Sequence, residues 1–205
     1  MFPAMSEEPT TKDRLIFAAT RLFRQRGYDG TGLAEVLAEA GVPKGSLYHH
    51  FPDGKADLAC AAADWTASEI IRVIDDAFAD APDWRHGATA YCHKMAKLFD
   101  ILNSADACPI FGLLFEGPDQ NKFRAHAEAA FNRIIAGAAR HGEALGQTPE
   151  AAHEAAETLM IGFQGSWTLA RMRRNATTLR NLPLRLYGPA ANMNPFPVDL
   201  GPNAA

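Results

Sequence analysis

Between Thr31 and Phe51 the chain reads TGLAEVLAEAGVPKGSLYHHF, two short helical stretches separated only by AGVP. A link that short leaves no room for a strand or a wandering loop, so the two helices must pack on each other. Gly41 supplies the tolerance of positive φ that the turn needs. Pro43 suits the first turn of the next helix, where its missing N–H is not needed, and Pro52 stops that helix. Leu33, Val36, Leu37, Val42, Leu47 and Phe51 can pin the angle between the two, with Leu47 and Phe51 four apart on one face. Polar groups are left to point outward. Lys44 and Tyr48 are four apart, as are Ser46 and His50, and Gly45 leaves room for a close approach.

The rest of the chain is also helical in pattern. Residues 1–10 read as a frayed leader. From Thr11, Leu15, Ile16, Ala19, Leu22 and Phe23 fall on one helical face, and Gly27 ends that helix. Thr31 is a candidate cap for the helix GLAEVLAEA over 32–40, and Asp53 for a long helix over 54–80. Further helices are expected over 84–103, 109–117, 119–145, 149–175 and 177–187, followed by a Pro/Gly/Asn-rich tail. No strand alternation and no repeat is found. The expected fold is all-α: an N-terminal three-helix head over 10–58, a larger helical body over 59–187, and a C-terminal tail over 188–205.

Composition excludes several classes. The 205 residues suffice for a real core, and 47% hydrophobic with 21% charged is ordinary for a water-soluble chain. No apolar run reaches the roughly 18 residues of a membrane span, and the N-terminus lacks a secretory pattern. The expected compartment is therefore the cytoplasm, with no membrane partner. Net charge is −4, so any site for a polyanion must be a local patch. Cys60, Cys92 and Cys108 form no CxxC pair, which argues against a disulfide framework or a structural zinc site.

The adjacent His49 and His50 invite a chemical reading. Neighbours on a helix point roughly 100° apart, so one ion cannot easily use both, and no third ligand follows at helical spacing. No serine or cysteine nucleophile with an orienting acid lies nearby. No metal, cofactor or catalytic site is expected. Two short helices with a polar outer face instead match the helix-turn-helix layout, in which the second helix enters the DNA major groove.

The residues go further than that layout. The pieces AA..LF...GY at 18–28, AGVPKGSLYHHF at 40–51 and the Lys55–Leu58 start of the fourth helix resemble the N-terminal domain of the tetracycline-repressor (TetR) family of transcription regulators. PDG places one extra residue between Phe51 and Lys55. With ACPIFGLLFEG at 107–117 and GSWTLARMRRN at 165–175, it resembles the LmrA/YxaF-like branch. The resemblance implies that Thr31 contacts a phosphate, Lys44 and Gly45 face base edges, and Ser46 faces a base or a phosphate. It directs Tyr48, His49, His50 and Lys55 at phosphates. Helix N-termini and cationic or hydroxyl side chains suit such contacts, and lysine at a base edge favours guanine. Arg21, Arg24 and Arg26 either extend this footprint or form a solvated face. Asp75, Asp76 and Asp80 read as an exposed acidic face.

The resemblance also implies an effector pocket in the body. Phe99, Phe111, Phe115, Phe131, Met160, Phe163, Gln164 and Trp167 are the candidate lining. It implies a homodimer as well, for which Ala151, Ala155, Leu159, Gly162 and Ser166 offer a small-residue stripe. The expected function is a sequence-specific DNA-binding regulator, a repressor, responding to a small lipophilic effector and bound to a double-stranded operator. The alternative is a ligand-binding helical protein whose head no longer binds DNA.

Overall fold

The computed structural model describes residues 9–102 and 120–189. Every regular element among them is a helix. The head is α1 (Thr11–Arg26), α2 (Leu33–Ala40) and α3 (Lys44–His50). The body is α4 (Lys55–Phe78), α5 (Trp84–Ile101), α6 (Gln120–Ala144) and α7 (Pro149–Arg173), closed by α8 (Thr177–Arg180) and α9 (Leu182–Tyr187). The expected piece at 109–117, with Phe111 and Phe115, and most of the tail lie outside the described residues.

Local chemistry accounts for most boundaries. Thr10 and Asp13 form a reciprocal capping box at the start of α1, and Gly27 ends it at φ 74°. Thr148 caps α7 with Pro149 behind it. Two expected caps are corrected. Thr31 is 1% exposed and its Oγ1 donates to the Gly27 carbonyl at 2.9 Å, so α2 is capped at Gly32, whose N–H donates to Glu35 Oε2. Asp53 does not cap α4. Gly54 holds that position at φ 63°, while the Asp53 N–H donates to Asp57 Oδ2 at 2.8 Å. The helix expected over 177–187 is split at Asn181, because Pro183 cannot donate the backbone bond that would join its halves.

Head and body share a continuous core. Leu15, Ala19, Leu22 and Phe23 of α1 meet Val36, Leu47 and Phe51, and Leu58 of α4 joins them. Phe17 packs on Trp65 of α4 with ring centroids 5.1 Å apart, and Tyr28 meets Phe123 of α6 edge-on at 5.2 Å. The aspartates of α4 are partly spent on its neighbours. Asp75 accepts from His141 at 2.7 Å and Asp76 pairs with Lys94 at 2.6 Å. No described helix is long and apolar enough to cross a membrane.

Candidate nucleic-acid interface and apolar crevice

Gly41 adopts φ 60°, ψ 42°, the left-handed conformation expected of the turn. The turn is also tied from a distance: Arg14 Nη2 donates to the Gly41 carbonyl at 2.9 Å. No spacing rule connects residues 27 apart, so sequence reasoning missed Arg14. From this fixed turn α3 runs with Leu47 fully buried and Phe51 3% exposed at its end. The opposite face is outward: Lys44, Gly45 and His49 are exposed, Tyr48 is 46% exposed, and Ser46 and His50 are half-buried. The two histidine rings meet edge-on at 5.0 Å. No group of three His, Cys, Asp or Glu among the described residues could hold a metal ion.

Lys55, at the start of α4, places Nζ 4.2 Å from the centroid of the Tyr28 ring. Burial draws its pKa below the ordinary lysine value, opposed by Asp29. Seven basic and six acidic side chains lie in 10–58, so the head is not strongly cationic as a whole. Its acids are largely committed elsewhere. Asp13 caps α1, Asp57 accepts from Asp53, Glu35 pairs with Arg26 at 2.8 Å, and Glu39 pairs with Arg21. None lies within α3, whose outer face combines a lysine, a phenol, a hydroxyl and imidazoles. Thr31 does not join that face, because its side chain is buried and its hydroxyl is used within the head.

In the body, an apolar crevice of about 30 Å³ opens where α1, α4, α5 and α7 converge. Helix α1 contributes Thr20 and Arg24, α4 contributes Trp65, Glu69 and Ile70, α5 contributes Met95 with Leu102 at its C-cap, and α7 contributes Phe163 and Trp167. Of the expected lining, Phe163 and Trp167 are there. Phe99 stands behind them, edge-on to Trp167 at 5.3 Å. Met160 is buried, Gln164 and Phe131 are half-buried, and none of these three lines the crevice. The α4 and α5 walls were missed, although 66, 69, 70 and 73 on α4 fall at helical spacing. Glu69 is 6% exposed and pairs with Arg72 at 2.9 Å; burial raises its pKa and Arg72 opposes that. Trp167 is 2% exposed, and its Nε1–H has no hydrogen-bond partner among the described residues. A buried donor left so costs ~1–3 kcal/mol.

The expected small-residue stripe on α7 is corrected at three of its five positions, while Ala151 is exposed and Ala155 half-buried. Leu159 and Ser166 face the core, and Gly162 lies against Leu182 and Leu186 of the same chain. The outward apolar face of α7 is one register away: Ile161 is 69% exposed and Met172 78%, with Gly165 and Leu169 between them. Leu184 of α9 is exposed as well.

Comparison with known proteins extends this geometry. Residues 15–62 match the family model for bacterial regulatory proteins of the tetR family, and residues 86–183 that for the C-terminal domain of LmrA/YxaF-like transcriptional regulators. The HTH-type transcriptional regulator LmrA of Bacillus subtilis is 31% identical over 175 residues, covering 84% of this chain and 92% of LmrA. An HTH-type transcriptional regulator of Mycobacterium tuberculosis is 32% identical over 177 residues, covering 82% of this chain and 88% of its own. Among solved structures, the regulatory protein TetR from Rhodobacter sphaeroides aligns with a TM-score of 0.70 at 26% identity, over 85% of this chain and 95% of that one.

Proposed function

The chain belongs to the TetR family of helix-turn-helix transcriptional regulators, with an LmrA/YxaF-like C-terminal domain, and on that premise we propose a cytoplasmic homodimeric repressor whose hold on its operator is altered by a small lipophilic effector. One observation carries the DNA-binding part. Helix α3 is fixed from behind by buried Leu47 and Phe51, and its free face presents Lys44, Gly45, Tyr48 and His49 together. Lys44 and Gly45 read base edges. Ser46 contacts a base or a phosphate. Tyr48, His49, His50 and Lys55 hold phosphates on either side of the groove. The head over 10–58 binds DNA, and the body over 59–187 dimerises and senses. The extra residue of PDG is absorbed by a turn in which the Gly54 N–H donates to the Phe51 carbonyl at 2.8 Å, with α3 undisturbed. That weighs against a degenerate head.

The outward face of α7 supports the dimer. Its N-terminal half exposes Glu150, Glu154 and Glu157, and its C-terminal end Arg173 and Arg174. Two antiparallel copies around a two-fold axis set each acidic half against the other's basic end, with Ile161, Leu169 and Met172 between them. The two heads then meet successive major grooves about 34–36 Å apart. The crevice supports the sensing role because its walls come from both regions: α1 belongs to the head, and α4 begins beside the end of α3. At about 30 Å³ it holds little more than a water molecule, so a larger ligand must part these helices. A ligand that binds the widened form better lowers DNA affinity by that difference.

The test is a binding series on the DNA upstream of the protein's own gene. Tyr48→Phe and His50→Ala are expected to weaken binding equally on matched and mismatched operators, while Lys44→Ala relaxes the preference between them. Equal loss on every sequence for Lys44→Ala would remove that residue from base reading. Affinity is expected to fall steeply with salt, and a flat log–log slope would refute phosphate-dominated contact.

A further inference from the structure

Resting on the effector reading above, the crevice also restricts the chemistry of what enters it. Its walls are almost wholly apolar, and most of its polar side chains are already satisfied. The Thr20 hydroxyl donates to the Ile16 carbonyl, the Thr66 hydroxyl to the Ala62 carbonyl, and Glu69 is held by Arg72. Trp167 differs, since its Nε1–H is buried without an acceptor among aromatic neighbours. Buried polar groups in folded proteins are nearly always paired, so an unpaired donor on a side chain that lines the crevice calls for an acceptor.

We propose that Trp167 is the polar anchor of the effector site and that the ligand is an uncharged, largely apolar molecule offering one hydrogen-bond acceptor, such as a carbonyl oxygen, to Nε1–H. The charged alternatives fit less well. A carboxylate would lose to Glu69 what it gained from Arg24 in the same wall, and its charge would be buried among apolar side chains at a cost. An ammonium group would add a donor where a donor already waits.

The experiment uses the full chain and two planar isosteres, acetophenone and α-methylstyrene, which differ in C=O against C=CH₂, with benzoate as the charged counterpart. Dissociation constants are read by ligand-observed NMR. Wild type is expected to bind acetophenone about tenfold more tightly than α-methylstyrene and to reject benzoate. Trp167→Phe, which keeps an aromatic ring, is expected to reduce acetophenone to the level of α-methylstyrene and to leave the hydrocarbon unchanged. Equal affinities in wild type, or a preference surviving in Trp167→Phe, overturns the assignment. If Trp167→Phe does not fold, the wild-type indole N–H resonance decides. It moves downfield with acetophenone and not with the hydrocarbon, and a resonance that responds alike to both overturns the proposal. Ile70→Trp, which fills the crevice, tests the effector reading separately. If it leaves α-methylstyrene binding intact, or if wild type binds neither neutral probe, the crevice is not the sensing site and the anchor falls with it.

Discussion

The head and the body place their polar and apolar groups in opposite ways. In the head, a small core holds the short helix α3, and its free face is polar apart from the Tyr48 ring. In the body, long helices bury an unpaired indole N–H and turn Ile161 and Met172 outward. A surface that meets a polyanion can stay hydrated until it binds, so it needs rigidity behind it and little else. A surface that meets a second copy or an apolar ligand must stand partly unsatisfied in the free chain. The contrast therefore separates stability from function differently in each region.

The sharpest attack on the head is from behind. Leu47→Ala removes a fully buried side chain from a small core and is expected to cost ~2–5 kcal/mol. Hydrogen exchange should show α1–α3 losing protection while α6 and α7 keep theirs. Uniform loss along the chain would mean that the shared core through Phe17–Trp65 and Tyr28–Phe123 makes head and body one cooperative unit.

On the body the equivalent attack is from outside. Met172→Glu puts a carboxylate on the exposed apolar face, opposite the acidic half of the proposed antiparallel partner. It is expected to weaken self-association at least about thirtyfold while leaving the monomer fold intact. Sedimentation at several concentrations reads the change. An unaltered dimer would move the interface off α7.

These two positions also show what was legible beforehand. Leu47 and Phe51 could be oriented from their spacing because the helix is short, one face is polar, and the neighbouring turn fixes where its core lies. Helix α7 has apolar residues on two faces, and periodicity alone does not say which one meets the body. The stripe through Leu159, Gly162 and Ser166 turned out to pack within the chain, and Ile161 and Met172 point away from it. The crevice was harder still. Phe163 and Trp167 stood out as aromatic, but Thr20, Glu69 and Met95 come from three other helices that only tertiary packing brings together. Thr31 failed for a local reason, since its hydroxyl found the Gly27 carbonyl four residues back. Arg14 carried no signal at all.

A smaller effect tests whether the crevice wall is held at an energetic cost. Burial raises the pKa of Glu69 in the folded chain above its unfolded value. The folded state therefore takes up the proton more readily, and the stability this contributes at low pH is lost as pH rises through the carboxyl range. Glu69→Gln cannot titrate. Its melting temperature is expected to gain on wild type between about pH 4 and about pH 7. A difference that stays constant with pH, or shifts the other way, would mean that the ion pair with Arg72 outweighs burial.

The smallest change in stability separates the two functions of α3 most cleanly. A Cβ added at Gly45 would meet nothing within 4 Å in the free chain, and the residue sits in a helix with ordinary backbone. Folding gives no reason for glycine there, since alanine in a helix is favoured by roughly 0.5–1 kcal/mol. Gly45→Ala is therefore expected to raise the melting temperature slightly. If α3 lies in the major groove with Gly45 against the bases, the same methyl group lands in the closest part of the interface and operator affinity falls. A variant that is more stable and binds DNA more weakly places Gly45 at the contact. One that is more stable and binds equally well moves the base-reading surface away from the start of α3, toward Tyr48 and His49.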